Sequence, residues 1–358
     1  MKPVAWSCVI LLIAVTDVVN AQTTVRVGYL PATHDTLLFI ALEERLFSAQ
    51  IAVDPRQYKA SPDILKDLAA QHIDLGIPGI AAPVNFISSG QPFSIVGGAA
   101  AESAAVVVPT ARAAQFLGKS LSAKMAAFRG LRVGTVRQST GDALFRKAVR
   151  DAGLVTVVNI REYADPNALL AELRSQFIDA AVLWSPHMSR AEEGTSPMKI
   201  VMWMDEVLPS HVCCRQVVHD GFLASRRQAV VHYLAGIIRA MKFYQEPKNK
   251  ERILAIAAKW IPGNSPAILE KELYIADADH HNHPRTTLSA DLNMDGISTY
   301  VSAMAKTTGL NSSKTGPVLA KVDRRALVEA YRTLGLSASE AERCVSQGFS
   351  RCDTASIR

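Results

Sequence analysis

A stretch near the start of the chain recurs 106 positions later, and this repeat restricts the folds open to the sequence. Residues 25–39 (VRVGYLPATHDTLLF) align without a gap with residues 131–145 (LRVGTVRQSTGDALF). A second pair, residues 71–77 (QHIDLGI) and 176–182 (QFIDAAV), lies 105 positions apart. Strand-loop-helix units share patterning in general, but two matches at nearly one separation favour a duplicated unit. The repeat therefore predicts two lobes of similar design.

Strand-type and helix-type patterns alternate along both copies of the repeat. Strand patterns occur at 25–29, 51–58, 73–77, 93–97, 104–108, 131–136, 155–161 and 178–184. Helical patterns occur at 36–47, 62–72, 142–152, 166–177, 226–244, 250–260, 266–274 and 324–334. Such alternation is typical of parallel sheets covered by helices. We therefore predict an α/β fold in which each lobe is a mixed, mostly parallel sheet with flanking helices.

The order of these patterns suggests where the chain passes between the lobes. Because helices dominate after Gly221, the chain is expected to build one lobe, then a second, and then to return to the first. The predicted crossings are 108–118 and 217–222. The predicted divisions are a signal peptide at 1–21, lobe 1 at 24–110 plus 222–335, lobe 2 at 111–221 and a C-terminal tail at 336–358.

The composition limits the class of protein. The 358 residues are 49% apolar and 20% charged, which is enough for a buried core and too apolar for a disordered chain. The net charge of +6 is spread without a dense block of lysine or arginine. This distribution argues against a nucleic-acid partner and is consistent with a positive cleft.

The first 21 residues have the pattern of an export signal. Lys2 precedes an apolar run at 8–15 (CVILLIAV), and small residues at 19–21 offer a cleavage site. The run is too short to span a bilayer, which disfavours the alternative of an uncleaved anchor. A periplasmic or other extracytoplasmic location follows as an expectation.

An exported chain can form disulfides. Cys213, Cys214, Cys344 and Cys352 would remain after cleavage. Adjacent cysteines rarely bond to each other, so the nearest plausible pair is Cys344 with Cys352.

The repeat places two polar loops just after strands, where open α/β sheets bind ligands. Their candidate ligand-binding residues are Pro31, Thr33, His34 and Asp35 in one lobe and Arg137, Ser139 and Thr140 in the other. Each loop precedes a helix, whose N-terminus presents free N–H groups to an anion. With Arg137 nearby, the N-termini of these two helices would together bind a sulfonate, a carboxylate or nitrate. The alternative is that the hydroxyl and carboxyl side chains are ordinary helix caps.

Two further loops follow the second pair of matched strands. Gly79 and Ile80 lie in the first, and Trp184 and His187 lie in the second. Glycine permits close backbone approach, and tryptophan and histidine offer a flat wall and a hydrogen-bond donor. The alternative is that Trp184 belongs to the core and that His187 is structural.

Several segments resemble solute-binding proteins of ABC importers, of the type that binds nitrate, sulfonates, taurine or thiamine-pyrimidine precursors. The resemblance lies in 25–31 (VRVGYLP), 38–47 (LFIALEERLF), 74–79 (DLGIPG), 89–96 (SGQPFSIV) and 322–335. It implies a type II periplasmic-binding-protein fold with the ligand in the cleft between two lobes. It also implies that the cleft loops fall on 30–35, 79–81, 137–140 and 184–187.

The resemblance implies an extracytoplasmic substrate-binding component of an ABC importer. The expected ligand is a small anionic or polar solute, such as a sulfonate, nitrate or taurine, and the expected protein partner is a permease in the membrane. We expect a monomer that needs no cofactor and binds no nucleic acid. The sequence has no Gly-x-Ser-x-Gly, Walker A or His-Glu-x-x-His motif, so an enzyme is the least favoured class.

One segment departs from the family pattern. His211, Cys213, Cys214 and Arg215 lie just before the second predicted crossing. Thiolate and imidazole ligands suit zinc or copper(I), so the alternative function is a metal or metal-chelate binding protein that uses His211, Cys213 and Cys214. His34 and His187 could converge on the same point. The simpler interpretation is a buried thiol pair beside an anion-binding arginine, which adds Cys214 and Arg215 to the ligand-binding candidates.

A further histidine cluster occupies residues 280–283 (HHNH), beside Pro284. This context predicts an exposed loop, with a weak metal site as the alternative. The tail after Leu336 lies outside the resemblance and has no assigned role.

Overall fold

The structure is a computed structural model that describes residues 22–194, 197–305, 312–352 and 354–357. The predicted signal peptide at 1–21 lies outside the described residues. Among the described residues, no helix has both the length and the apolar character needed to cross a bilayer.

The described strands are short and lie mostly in the first two thirds of the chain. They are β1 (Thr23–Tyr29), β2 (Ile51–Gln57), β3 (Leu75–Gly76), β4 (Phe93–Gly98), β5 (Ala100–Ala101), β6 (Ala104–Pro109), β7 (Arg132–Val136), β8 (Asn159–Tyr163), β9 (Ala180–Trp184), β10 (Met198–Trp203), β11 (Arg215–His219) and β12 (Thr287–Leu288).

The helices alternate with these strands and then predominate toward the C-terminus. They are α1 (Thr36–Glu43), α2 (Ser61–Ala69), α3 (Ala81–Ser88), α4 (Leu121–Ala127), α5 (Thr140–Asp151), α6 (Pro166–Arg174), α7 (His187–Glu192), α8 (Asp220–Ser225), α9 (Arg227–Gln245), α10 (Lys250–Trp260), α11 (Pro266–Leu273), α12 (Met294–Ala305), α13 (Thr315–Leu319), α14 (Arg324–Thr333) and α15 (Ala338–Gln347).

The strands form two five-stranded sheets, and the predicted α/β class is confirmed. The first sheet has the order β2-β1-β3-β11-β4, and the second has the order β10-β6-β9-β7-β8. In each sheet the first strand of the repeat, β1 or β7, pairs in parallel with two neighbours. One strand in each sheet runs opposite to the other four, β11 in the first sheet and β6 in the second. Strands β5 and β12 form a separate antiparallel pair.

One predicted strand is displaced along the chain. The pattern at 155–161 predicts a strand, but the strand forms at Asn159–Tyr163. The backbone N–H of Val157 donates to the carbonyl oxygen of Leu154 instead, so the apolar residues 155–158 belong to a turn. Apolar character alone does not separate a turn at the surface from a strand in the sheet.

The chain passes between the two sheets at points other than those that the sequence predicts. Strand β6 pairs with β9 in the second sheet, whereas β11 pairs with β3 and β4 in the first. The chain therefore passes between the sheets at 99–103 and at 204–214, and the predicted crossings at 108–118 and 217–222 are wrong. The run at 104–108 (AAVVV) is uniformly apolar and carries no information on which sheet it joins. No strand is predicted at β11 (RQVVH), where the chain has returned to the first sheet. The division into lobes at residues 110 and 221 stays a prediction. We propose that the lobes instead meet at the observed crossings, 99–103 and 204–214.

The duplicated unit is tied together in the same way in both lobes. In the first, Arg26 donates from its backbone N and from Nε to Asp74 Oδ2, at 2.9 Å in both cases. In the second, Arg132 makes the same two bonds to Asp179 Oδ2, at 3.0 and 2.9 Å. Each pair links the start of the first strand to the segment leading into the third strand. The matched aspartates of the two copies thus have a common structural task.

A glycine in the first strand lets side chains pack closely over each sheet. A Cβ atom on Gly28 would lie 2.7 Å from Ile73 Cδ1, and one on Gly134 would lie 2.6 Å from Ile178 Cδ1. Neither distance is compatible with a real Cβ atom. The glycines of the two Arg-Val-Gly segments are therefore packing positions.

The C-terminal helices cover the first sheet. Helix α9 packs against both α1 and α14, and α14 packs against α15. Helix α15 carries Cys344, which forms the predicted disulfide with Cys352. The backbone N–H of Phe349 donates to Asp291 Oδ1 at 2.7 Å, so the tail is held against the segment before α12.

The arginine–aspartate ties generate a stability prediction. Replacing Asp179 with asparagine removes a carboxylate that accepts bonds from Arg132 and Arg112, and it should lower the free energy of unfolding by about 2 kcal/mol. The control is Asp151→Asn, which removes a half-exposed partner of Lys147 and should change it by less than about 0.5 kcal/mol. Denaturant unfolding measures both, and equal effects would show that the tie is no more than a surface ion pair.

Candidate functional site

The loops at the carboxyl ends of the matched strands meet at one small cavity between the two sheets. The residues that line it are Leu30, His34, Ser61, Gly79, Ala104, Ser139, Thr140, Gly141, Trp184, Cys213 and Cys214. It has about 20 Å³ of room for solvent, which is the space of a single water molecule. In this conformation the lobes are therefore closed upon each other.

A wider cavity of about 360 Å³ adjoins the small one. Pro31, Tyr58 and Lys59 line it from the first lobe, and Asp165 and His187 line it from the second. Leu30 and Trp184 line both cavities. These two side chains thus stand between the inner cavity and the wider space beside it.

Several buried polar atoms at the inner cavity have no hydrogen-bond partner among the described residues. They are both ring nitrogens of His34, Oγ1 of Thr140 and Nε1 of Trp184. Nδ1 of His187, beside the wider cavity, is in the same state. An unpartnered buried polar atom costs on the order of 1–3 kcal/mol. Polar atoms that face a cavity in this state are available to a bound solute.

The two histidines of the cleft are uncharged at neutral pH. Burial lowers the pKa of His34 to about 4. Burial, with Arg190 and His34 nearby, lowers the pKa of His187 to about 3. A neutral imidazole offers one donor and one acceptor, so both rings can bind polar groups without adding a charge.

Three other predicted site residues are engaged within the protein. Asp35 Oδ2 accepts a bond of 2.7 Å from the backbone N–H of Leu30, and burial raises the pKa of Asp35 well above its usual range. Thr33 shares a hydrogen bond of 2.7 Å with Thr286. Ser139 Oγ accepts a bond of 3.0 Å from the backbone N–H of Asp142 and caps α5. These side chains shape the cleft loops, although Ser139 also lines the cavity.

The structure does not bring the two predicted arginines to the inner cavity. Arg137 is exposed. Arg215 is buried, and its Nη1 donates to the carbonyl oxygens of Ala100 and Cys214 at 3.0 and 2.7 Å. Cys214 lines the inner cavity, whereas Arg215 lines a different cavity, with Asp291. Burial lowers the pKa of Arg215 to about 10.

The two cysteines lie together at the cleft. Their Sγ atoms are 3.6 Å apart, and Sγ of Cys213 is 3.9 Å from Ser103 Oγ. The hydrogen bond with Cys214 lowers the pKa of Cys213, whereas burial raises that of Cys214. Nδ1 of His211 lies 3.1 Å from the carbonyl oxygen of Leu208. Among the described residues, His211 and the cysteines do not form a three-ligand group within metal-binding distance.

Of the remaining candidates, Gly79 lines the inner cavity, and Ile80 is buried without lining it. Residues missing from the predicted ligand-binding set are Leu30, Ser61, Ala104, Gly141 and Cys213. The sequence could have predicted Ser61 as a site residue, because it lies between a strand and a helix, as the predicted cleft loops do. Its Oγ accepts a bond of 3.0 Å from the backbone N–H of Gly79.

The family model of the NMT1-like family matches residues 20–258. The chain belongs to the NMT1-like family. A binding protein of Brucella abortus (strain 2308) is 27% identical over 248 residues, which cover 66% of this chain and 71% of that protein.

Solved structures show the fold of this family member. The periplasmic nitrate-binding protein NrtA of Synechocystis PCC 6803 superposes with a TM-score of 0.73 at 15% identity, covering 89% of this chain and 91% of that one. The periplasmic aliphatic sulphonate-binding protein SsuA of Escherichia coli gives 0.61 at 18% identity, with 86% and 92% covered. The ligand-binding component of an ABC-type import system of Staphylococcus aureus gives 0.69 at 16% identity, with 86% and 99% covered. The predicted periplasmic-binding-protein fold is confirmed.

The buried histidines predict that the free energy of unfolding depends on pH. The pKa of an unfolded histidine is about 6.5, so the unfolded chain takes up more protons than the folded chain below that pH. The free energy of unfolding should therefore fall as the pH drops from about 6.5 toward 4, and His187 alone should account for about 2 kcal/mol at pH 5.

Two variants separate this contribution from that of other groups. His187→Gln should reduce the slope of unfolding free energy against pH by about one proton in this range. His72→Gln, at an exposed position, is the control and should leave the slope unchanged. The same slope in His187→Gln as in the unmodified protein would contradict a buried, neutral imidazole.

Proposed function

We propose that this chain is the extracytoplasmic substrate-binding component of an ABC importer. Its ligand is a small anionic or polar solute of the sulfonate, nitrate or taurine kind, which it delivers to a permease in the membrane. The observation that carries the proposal is the cavity between the lobes, where buried polar atoms of both lobes lack partners. Two of the similar proteins are named as binding nitrate and aliphatic sulphonates, which supports the same class of ligand for this chain.

The chemistry of the cleft suits an oxyanion held by hydrogen bonds. Trp184 Nε1 is a donor only, and the hydroxyl of Thr140 can donate. Thr140 is also the first residue of α5, a twelve-residue helix whose N-terminus favours negative charge. Neutral His34 adds one ring N–H. These groups can bind an acidic head group without a formal positive charge, and the indole of Trp184 offers a surface for an organic part.

Ligand entry requires the lobes to separate. The inner cavity holds the volume of one water molecule, which is less than any of the proposed ligands. Gly79 of the first lobe lies directly against Thr140 of the second. The two crossings at 99–103 and 204–214 are the segments about which the lobes would rotate in a hinge motion.

A binding protein accounts for the cleft better than an enzyme does. Cys213 is the candidate nucleophile, and its sulfur contacts Ser103 and Cys214. Neither of these is a general base, and an activated thiol needs a base within hydrogen-bond reach. The alternative of a metal bound through His211, Cys213 and Cys214 lacks a third ligand near the two thiols among the described residues.

The first test of the proposal uses Thr140→Val. Purified protein is stripped of ligand and screened by thermal shift and calorimetry against nitrate, taurine and short alkanesulfonates. We expect one of them to bind with a stoichiometry of one, and Thr140→Val to weaken that binding about tenfold by removing a buried donor. Thr156→Val, at an exposed position, is the matched control. Absence of binding by every small anion tested would overturn the proposal.

The second test concerns closure of the lobes. A methyl group at position 79 would lie 2.8 Å from Thr140 Oγ1, so Gly79→Ala should hold the lobes apart and weaken ligand binding about tenfold. The double variant Gly79→Ala with Thr140→Ala removes both the clash and the Thr140 hydroxyl, so it should bind as well as Thr140→Ala alone and the two losses should not add. Gly316→Ala, where the new methyl meets nothing within 4 Å, is the control. If Gly79→Ala binds as well as the unmodified protein, contact between these two residues does not limit closure.

A further inference from the structure

The histidine cluster at 280–283 is only partly the exposed loop that the sequence predicts, since residues 281 and 282 are exposed but His280 is not. His280 is buried, with 1% of its surface accessible. Its ring stacks on that of Trp203, with centroids 4.1 Å apart and an angle of 22° between the planes. The sequence-based prediction is therefore wrong for this residue, because the loop turns back onto the second lobe.

Two carboxylates and two imidazoles converge at this loop. One side-chain ligand atom from each of Glu102, Asp205, His280 and His283 lies within 4.8 Å of all the others. Nε2 of His283 is 3.2 Å from Glu102 Oε2, and Nε2 of His280 is 3.4 Å from Asp205 Oδ2. Tetrahedral ligands at about 2.0–2.1 Å from a metal lie roughly 3.3 Å from each other. The cluster is thus near the size of a four-coordinate shell.

The hydrogen bonding of Asp205 and His283 is compatible with the binding of a cation. Asp205 has 2% of its surface accessible, yet neither of its oxygens accepts a hydrogen bond from the described residues. Nδ1 of His283 lies 3.1 Å from the carbonyl oxygen of Pro284, which can accept a hydrogen bond from that nitrogen. This bond places the ring proton on Nδ1 and turns the lone pair of Nε2 toward Glu102, as in histidines that bind metals.

The nearest strong cation is already engaged. Arg285 bonds Glu192 at 2.7 Å and Asp277 at 2.7 Å. When ionised, the two carboxylates would balance the charge of one divalent cation. Such buried carboxylates are costly unless they are paired or bind a metal.

We propose that Glu102, Asp205, His280 and His283 bind one zinc-type divalent cation outside the ligand cleft. Imidazole nitrogen and carboxylate oxygen form a ligand set that suits Zn²⁺. His281, whose Nε2 lies 3.1 Å from Asp205 Oδ2, is mostly exposed and stands at the rim of the site. The proposal does not depend on the identity of the cleft ligand.

The position of the site gives the metal a structural role. Glu102 lies in the first crossing between the sheets, and Asp205 lies in the second. His280 and His283 come from the loop before β12, which pairs with β5 of the first crossing. A bound cation joins these three segments and restrains the region about which the lobes open.

The experiment is a titration of the full-length mature protein with Zn²⁺ alone. Untagged protein is dialysed against a chelator, checked for residual metal by elemental analysis and titrated by calorimetry. One Zn²⁺ per chain is expected, and Glu102→Gln and His283→Ala should each weaken its binding at least about 100-fold. Circular dichroism shows whether each variant is folded. If His283→Ala does not fold, Glu102→Gln still provides the test, because glutamine preserves the shape of the glutamate side chain.

Two controls separate this site from other zinc ligands. His72→Ala removes an exposed histidine that lies 3.4 Å from Asp67 and should leave the affinity unchanged. The double variant Cys213→Ser with Cys214→Ser should also leave it unchanged, and Co²⁺ substituted for Zn²⁺ should show no sulfur-to-cobalt charge-transfer band. Zinc binding that survives in folded Glu102→Gln and His283→Ala but disappears in the cysteine variant would overturn the proposal, as would the absence of stoichiometric binding.

Hydrogen exchange tests the role in the crossings. Zn²⁺ should slow amide exchange in 99–103, 204–214 and 277–285 of the unmodified protein and should have no such effect in Glu102→Gln. Exchange that is unchanged by stoichiometric Zn²⁺ in these segments would refute the bridging of the two crossings.

Discussion

One arginine–aspartate pair in each lobe ties the start of the first strand to the segment that enters the third. Arg26 with Asp74 and Arg132 with Asp179 make the same bonds from the same atoms. The tie sets the register of parallel strands, and the carboxyl ends of those strands then meet at one edge of each sheet. Because both lobes use the same device, two such edges face each other across the cleft.

The cleft that results has no charged side chain at its inner cavity. Its histidines are neutral because burial lowers their pKa, and Arg215 is turned away into another cavity. Selectivity for an anion then depends on N–H and O–H donors and on the N-terminus of α5. Donors of fixed geometry select by shape as well as by charge, since a solute that cannot accept their bonds leaves them unpaired.

The crossings unite the two proposals. In the proposed clamp they would be the hinge, and they also supply Glu102 and Asp205, which lie beside the histidine loop. A cation at that point would act on closure of the lobes from outside the cleft, because it is bound by segments that the two lobes share. Ligand binding and metal binding would then be linked through one movement.

The sequence by itself determined the repeated β/α unit, the α/β class, eight of the fifteen described helices and the loops that border the cleft. These features depend on local periodicity and on residues that are adjacent in the chain, so pattern suffices to find them. Tertiary structure alone decided which sheet the apolar strand β6 joins, since an apolar run fits either one. It also decided that residues 215–219 (RQVVH) form a strand of the first sheet. It also decided that Cys214 faces the cleft and Arg215 does not, because that direction depends on strand pairing. The meeting of Glu102, Asp205, His280 and His283 lies furthest from the reach of the sequence, because these residues come from three distant segments and adjoin only when both crossings are in place.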